Sequence, residues 1–286
     1  MSWTNFHSHS AFSDGVKDPE EHLLAAIQLG MPAYGFSDHS PIPFPSSWAI
    51  QPEDFSRYCQ MIDELKETYH GQIQIYKGLE MDYIPGHFDL NDPMIRSANL
   101  DYTVGSIHFT DFLPDGTPWE IDGAHKPFLE GLSLIFDNDI QRMVKRYYAL
   151  TREMIQLSRP DVLGHMDKIK IQSEGGNLFD EHALWYKNAV METLEFALKE
   201  DVIIEVNTRG TYKKATNLYP SPWILKEIHR MGIKIMLNSD SHHPREILHY
   251  FPEAAKILLD IGFDQLWVLW DKQWQPFPFD ENGVLT

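Results

Sequence analysis

Apolar positions along the chain follow two alternating rhythms. Short apolar or alternating runs, the rhythm of strands, occupy residues 3–8, 33–37, 72–76, 102–108, 162–165, 202–207 and 233–237. Helical spacing fills most of the intervals between them. Leu23, Leu24 and Ile27 share one helix face, which Gly30 can end in a left-handed conformation. Ahead of that face, Asp18-Pro19-Glu20-Glu21 reads as an N-cap, a first-turn proline and an acid placed to return the capping bond. Residues 52–69, 139–157 and 180–199 are expected to be helical as well. Ser221-Pro222 should open a further helix with Ile224, Leu225, Ile228 and Met231 as its apolar face and Gly232 as its stop. The proline-rich stretch within 40–51 breaks the pattern, and a second long loop is expected after His108, carrying Asp115-Gly116 and Ile121-Asp122-Gly123.

Strands separated by helices imply a parallel sheet, because parallel neighbours need a crossover connection. Seven such runs are about what a closed barrel requires. An eighth β-like run, 266–270, has no place in that ring. With 286 residues and no linker, low-complexity stretch or internal repeat, the chain is expected to form one domain over 1–286.

Composition narrows the function. A hydrophobic content of 43% supports an ordinary core, and 24 Lys and Arg against 42 Asp and Glu give a net charge of −18. Such a field repels nucleic acid and acidic membranes, while bound metal cations could neutralise part of it. Cys59 is the single cysteine, so neither a disulfide framework nor a thiolate metal site is expected. The first residues carry no basic segment followed by an apolar run, and no stretch reaches the roughly 18 apolar residues of a spanning helix. A cytoplasmic protein is the expectation.

Ligand-type side chains then recur where the strand-like runs stop. His7 and His9 sit two apart, so an extended backbone projects both imidazoles from one face. In a chain with 14 histidines that pair alone carries little weight. The later runs repeat the placement: His39, Glu80, His108 and His165 follow the second to fifth, Asp240 and His242 follow the seventh, and Asp14 lies just beyond the first pair. These are C-terminal strand ends, where barrel enzymes build their sites. Any one of His39, His108 or His165 would more often be an ordinary core histidine, but the recurrence makes chance a poor account. The set exceeds what one ion accepts, so two or three divalent metals are expected, with Glu80 as the bridge. Nitrogen and oxygen donors without sulfur suit zinc, manganese or iron. His22, His70, His182, His229 and His249 fall in or beside helical segments and are expected in solvent. Glu205, inside the sixth run, is either a carboxylate supporting the ligands or an interior hydrogen-bonded residue.

Taken together, His7-x-His9 with Ser13-Asp14-Gly15, Ser37-Asp38-His39, the Gly78 to Gly86 stretch, Gly105-Ser106-Ile107-His108, Gly164-His165, Glu205-Val206-Asn207-Thr208 and Asn238-Ser239-Asp240-Ser241-His242 resemble the motifs of the polymerase and histidinol phosphatase superfamily. The Gly78 to Gly86 stretch and Tyr219-Pro220-Ser221 resemble its histidinol-phosphate phosphatase branch, which acts in histidine biosynthesis. The resemblance implies an α/β fold, a distorted (β/α)7 barrel with a trinuclear metal site. It places His7, His9, Glu80 and Asp240 on one metal, Glu80, His108 and His165 on a second, and Asp14, His39 and His242 on a third. The chain departs from the family at Gly210-Thr211-Tyr212-Lys213, where Tyr212 replaces a customary arginine. Arg209 or Lys213 could hold the substrate phosphate in its stead.

The expected reaction is hydrolysis of a small phosphate monoester, most of all L-histidinol phosphate. A hydroxide bridging the metals would be the nucleophile, with Glu80 and Asp240 as catalytic carboxylates. Asp240 or a metal-bound water could protonate the leaving oxygen, and the loops 40–51 and 109–122 would shape the pocket. Competing readings keep the metals but cleave a phosphodiester or amide of another small substrate, or make the chain a non-catalytic metal-stabilised module.

Overall fold

Six of the seven strand-like runs join one curled parallel sheet. The structure, a computed structural model, describes residues 2–212 and 218–285. It begins with helix α1 (Pro19–Gln28), strand β1 (Ala33–Phe36), helix α2 (Phe55–Thr68) and strand β2 (Gln74–Asp82). A short helix α3 (Pro93–Arg96) leads to β3 (Tyr102–Ser106), the hairpin of β4 (Phe109–Phe112) and β5 (Pro118–Glu120), and helices α4 (His125–Phe136) and α5 (Ile140–Ser158). Then come β6 (Val162–Leu163), α6 (Leu184–Lys199), β7 (Ile203–Asn207), α7 (Pro222–Met231), β8 (Ile235–Asn238) and α8 (Phe251–Ile261). Strands β9 (Gln265–Trp270), β10 (Gln273–Asp280) and β11 (Gly283–Val284) complete the chain.

The main sheet runs β1-β2-β3-β6-β7-β8 with every neighbour parallel. Its strands are buried on both faces, as a helix-covered sheet requires. The first run is extended but is not a regular strand. It threads between β1 and β8 through single parallel bridges, Asn5 with Tyr34 and Ser8 with Ser241. Side chains replace part of the missing ladder: the Phe6 N–H donates to Asn238 Oδ1 at 2.8 Å and the Ser8 N–H to Ser37 Oγ at 3.1 Å. With this segment in place the ring closes into a distorted (β/α)7 barrel.

Aromatic rings fill the barrel at the N-terminal ends of its strands. The Tyr102 hydroxyl lies 2.7 Å and 2.9 Å from the Phe6 and Phe36 carbonyl oxygens. Its ring occupies the space that a Cβ at Gly35 or Gly78 would need, so both positions require glycine. Trp274 closes the end against Phe6 and Tyr102, with ring centroids 5.9 and 6.3 Å away. The unplaced run 266–270 is therefore β9, whose antiparallel partner β10 plugs the barrel from outside the ring. Pro276 and Pro278 hide β10 from sequence reading. The structure accommodates them because β11 pairs only with Phe279 and Asp280, and the backbone bond that reaches Pro278, from the Leu285 N–H at 2.8 Å, uses its carbonyl and not the missing N–H.

Outside the ring, the helices bury the stripes their spacing predicts. α5 buries Met143, Val144, Tyr147, Tyr148, Thr151, Met154 and Ile155, and α7 buries Ile224, Leu225 and Ile228. Each large apolar side chain so enclosed contributes about 1.5–3 kcal/mol. Helix ends match less well. Gly30 and Gly232 are left-handed, but Asp18 and Ser221 make no side-chain capping bond. Ser221 Oγ instead donates to Glu181 at 2.6 Å. The expected loop after His108 contains β4, β5 and α4; its strands are short and slip register between Phe109 and Asp111, which erases any readable period. Among the described residues no helix is long and apolar enough to cross a membrane.

Candidate metal centre

The mouth opposite Trp274 collects all nine of the expected ligand side chains. His108, His165 and Asp240 each sit two residues past the end of β3, β6 and β8, Glu80 lies inside β2, and His39 bridges to it. Glu80 is the hub. Its Oε2 is 3.0 Å from His39 Nδ1, 3.3 Å from His7 Nε2 and 3.6 Å from His9 Nε2. Its Oε1 is 2.8 Å from His165 Nε2 and 3.6 Å from His108 Nε2, and it accepts from Ser106 Oγ at 2.6 Å. Asp240 Oδ1 faces His9 Nε2 at 3.1 Å and His7 Nε2 at 3.8 Å, while Asp14 Oδ2 faces His242 Nε2 at 3.1 Å.

Four groups converge tightly enough to share an ion: His9, Asp14, His39 and His242; His7, His9 and Asp240; His7, Glu80 and His165; His39, Glu80 and His108. His7, His9 and His39 thus each belong to two groups, a sharing that the family-implied partition does not contain. The donors also fit metal by what they lack. His7 Nε2, both nitrogens of His9, His39 Nδ1 and His165 Nδ1 are buried without a hydrogen-bond partner. Buried polar atoms are rarely left so, and an ion coordinated by these nitrogens removes most of the deficit. Asp240 adopts φ 52°, a left-handed conformation that a non-glycine residue takes at a cost of about 1–3 kcal/mol and mainly at functional sites.

Charge in the cluster is strongly coupled. Burial alone would raise the pKa of Glu80 and Asp240, but the imidazoles around them, His39 and His7 foremost, hold both well below the usual carboxylate range. Burial likewise pulls His7 down, and Glu205, Asp240 and Glu80 overcome it, leaving His7 well above its ordinary value. His9 goes the other way: desolvation, with His242 and His39 nearby, lowers it to about 3. His108 is pulled down by burial and raised by Asp82 and Glu80, reaching about 9.

A second layer orients these groups. His7 Nδ1–H donates to Glu205 Oε1 at 2.6 Å, and His108 Nδ1–H donates to Asp82 Oδ1 at 3.0 Å. Glu205 also accepts from the His165 N–H, Asn207 Nδ2 and Asn238 Nδ2, each at 2.9 Å. Of the two sequence readings of Glu205, the supporting carboxylate describes these contacts. Asp38 Oδ1 accepts from the Ser10 N–H at 2.7 Å and Ser13 Oγ at 2.6 Å, which fixes the turn carrying His9 and Asp14.

Above the ligands opens a cleft of about 290 Å³ whose wall includes Trp48, Glu120, Asp122, Lys168 and Arg209. Lys168 Nζ lies 3.1 Å from Asp122 and 3.5 Å from His108 Nε2. Burial would lower its pKa, but Asp122, Asp240 and Glu80 raise it above the ordinary lysine value, so it stays charged. Arg209 Nη1 donates to Glu246 Oε2 at 2.8 Å, and the same oxygen accepts the His242 N–H at 3.0 Å. Tyr212 stacks on His249 at 3.8 Å, with the Arg209 guanidinium 5.0 Å from its ring. Lys213 lies outside the described residues.

Sequence reasoning missed Lys168; Trp48, Glu120 and Asp122 lie in the loops 40–51 and 109–122 expected to shape the pocket, but none of the three was singled out. Lys168 stands three residues after His165, in the same turn, the one signal that could have found it. The expectation for His22 fails: helix α1 packs that face against the 244–246 turn, and His22 is fully buried with neither ring nitrogen hydrogen-bonded. His70, His182 and His229 are exposed, and His249 is half-buried.

Known proteins resemble this chain in sequence and in fold. Residues 5–209 match the PHP domain. The Schizosaccharomyces pombe protein named "Probable histidinol-phosphatase" is 28% identical over 255 residues, covering 84% of this chain and 80% of that one. The Bacillus subtilis histidinol-phosphatase is 25% identical over 259 residues, covering 84% and 94%. In fold, the crystal structure of histidinol phosphate phosphatase from Lactococcus lactis, complexed with zinc, L-histidinol and phosphate, superposes with a TM-score of 0.71 at 21% identity, covering 100% of this chain and 99% of the other. The PHP match spans well over half of the chain and includes seven of the nine clustered ligand residues, so the chain belongs to the PHP domain family.

Proposed function

We infer that this chain is a metal-dependent phosphate monoester hydrolase acting on L-histidinol phosphate, in the cytosol, as one PHP-type domain over residues 1–286. The observation that carries the reading is the meeting, in one cleft, of nine metal-type ligands with two cations, Lys168 and Arg209, at its wall. The relatives named for histidinol phosphate supply the substrate.

Three divalent ions, with zinc first and manganese or iron as alternatives, fit the donor set. His7, His9, Glu80 and Asp240 would hold one, Glu80, His108 and His165 another, and Asp14, His39 and His242 the third. Bound there, such ions supply an activated water and neutralise charge on phosphoryl oxygens. The chain's own residues do the rest. Lys168 and Arg209 grip the phosphate with charge-assisted bonds, which are worth about 1.5–3 kcal/mol each. Arg209 is already aimed by Glu246, so little side-chain freedom is lost on binding. Tyr212 packs behind Arg209 and does not need to replace the customary arginine. Asp240 is held ionised, so it has no proton to give and accepts hydrogen bonds instead, and the leaving oxygen takes its proton from water.

A substrate panel tests the reaction class. Histidinol phosphate should be cleaved far faster than a phosphodiester or an amide of similar size. Faster cleavage of the diester or the amide overturns the reading.

A further inference from the structure

The cleft wall carries four carboxylates, Asp14, Glu120, Asp122 and Asp240. Three are accounted for. Asp14 and Asp240 belong to the ligand groups, and Asp122 is paired with Lys168 at 3.1 Å. Glu120 remains: among the described residues it has no ion-pair partner, and its Oε2 accepts no hydrogen bond. Its other oxygen, Oε1, accepts from the indole N–H of Trp48 at 3.0 Å.

That contact fixes where the free charge sits. The Trp48 ring packs edge-on against two ligand imidazoles, with centroids 4.7 Å from His39 and 5.8 Å from His108, and stacks on Phe109. Glu120 is also held from the backbone, because it pairs with Phe109 across the β4–β5 hairpin and the next N–H, of Ile121, donates to the His108 carbonyl at 2.9 Å. The carboxylate therefore stands one indole away from the ligand cluster, on a hairpin tied to the His108 backbone, facing the cleft. An anion so placed in a partly desolvated wall favours a cation on the ligand.

We propose that Glu120, oriented by Trp48, selects phosphomonoesters of amino alcohols by binding the ammonium group of the substrate's organic half. The phosphate lies toward Lys168 and Arg209, the carbon chain passes Trp48, and the ammonium pairs with Glu120 Oε2. This rests on the phosphomonoesterase reading above and adds the residue that chooses among monoesters.

The test compares wild type with Glu120→Gln, which keeps an oxygen for the Trp48 indole and removes the charge. Two readouts are taken on metal-loaded protein whose metal content is counted. One is kcat/KM for histidinol phosphate and for the same ester lacking the amino group. The other is calorimetric affinity, in inorganic phosphate, for L-histidinol and for its deaminated alcohol. Wild type should favour the amine in both. The variant should lose about tenfold to a hundredfold of that preference, mainly through KM, with the deaminated ligands and the metal content unchanged. Equal preference in wild type, an unchanged preference in the variant, or a parallel fall for both ligands overturns the proposal. If no monoester is hydrolysed, the phosphomonoesterase reading fails, and the calorimetric ratio still decides the role of Glu120.

Discussion

His7 and Glu205 meet across the barrel at 2.6 Å, and that contact decides which nitrogen His7 offers to a metal. With Nδ1–H committed to Glu205, Nε2 is left facing Glu80 and Asp240. All four groups bonded to the Glu205 carboxylate are donors: His7, the His165 N–H, Asn207 and Asn238. A Glu205→Gln amide would turn its own N–H₂ toward two of them. Metal affinity, measured by competition with a chelator, should fall about tenfold to a hundredfold. An unchanged affinity would show that His7 does not depend on this anchor.

Lys168 should matter more for phosphate than for metal. Replacing it with Met removes the ammonium and keeps the apolar stem. Loss of one charge-assisted bond should lower kcat/KM for a phosphate monoester about tenfold to a hundredfold, with metal content unchanged by elemental analysis. Arg209→Ala should fall in the same range. Normal kinetics in both variants would remove these cations from the phosphate site.

Metal uptake should release protons. His7 and His39 lie above their ordinary pKa, against the pull of burial, because of neighbouring carboxylates, and His108 reaches about 9. In the metal-free protein His108 is protonated at pH 7 and the same carboxylates bias His7 and His39 toward the protonated form, whereas each ring must be neutral to coordinate. Calorimetric titration with zinc at pH 7 in buffers of different ionisation enthalpy should therefore report net proton release. Apparent affinity should rise with pH until the rings have titrated, through about pH 9. The same shift works on stability in reverse: the His108 contribution to the metal-free fold is fully present below the unfolded value of about 6.5 and is lost as pH rises through about 9. No proton release at pH 7 would contradict the charge distribution described for the cluster.

Gly78 faces the Tyr102 ring so closely that an added Cβ would lie 2.5 Å from it. Gly78→Ala should destabilise the protein by about 1–3 kcal/mol through overpacking. For a chain of this size that is a fall in Tm of roughly 2–4 °C per kcal/mol or somewhat less. A second substitution, Tyr102→Leu, should relieve part of the loss in the double variant. Additive losses would mean that the two residues do not share the constraint.

The ligand ring was legible from one strand to the next because a β-strand's end fixes where its following side chain points. His39, His108, His165 and Asp240 obey that rule, Glu80 points in from the last residues of β2 itself, and the barrel brings them together. The cleft wall was legible only as the loops 40–51 and 109–122; its individual residues were not, because Lys168, Glu120 and Trp48 come from turns and a short bulged hairpin with no period. Of the plug, β9 was legible as the run 266–270 but β10 was not: prolines at 276 and 278 argue against a strand, and only the tertiary structure shows an edge that asks no N–H of them. His22 was misjudged because helical spacing gives the helix's inner face only when its neighbour is known.

If bound metal in this ring carries out monoester hydrolysis, phosphate release from histidinol phosphate must depend on it, and the measurement to make is that release before and after metal removal. The protein should contain about three divalent ions per chain, the number for which its nitrogen and oxygen donors suffice. Chelation should abolish turnover and readdition of zinc or manganese should restore it, while Glu80→Gln should stay inactive under every metal condition. Turnover undiminished after metal removal, or a protein that binds no metal on reconstitution, would contradict the account.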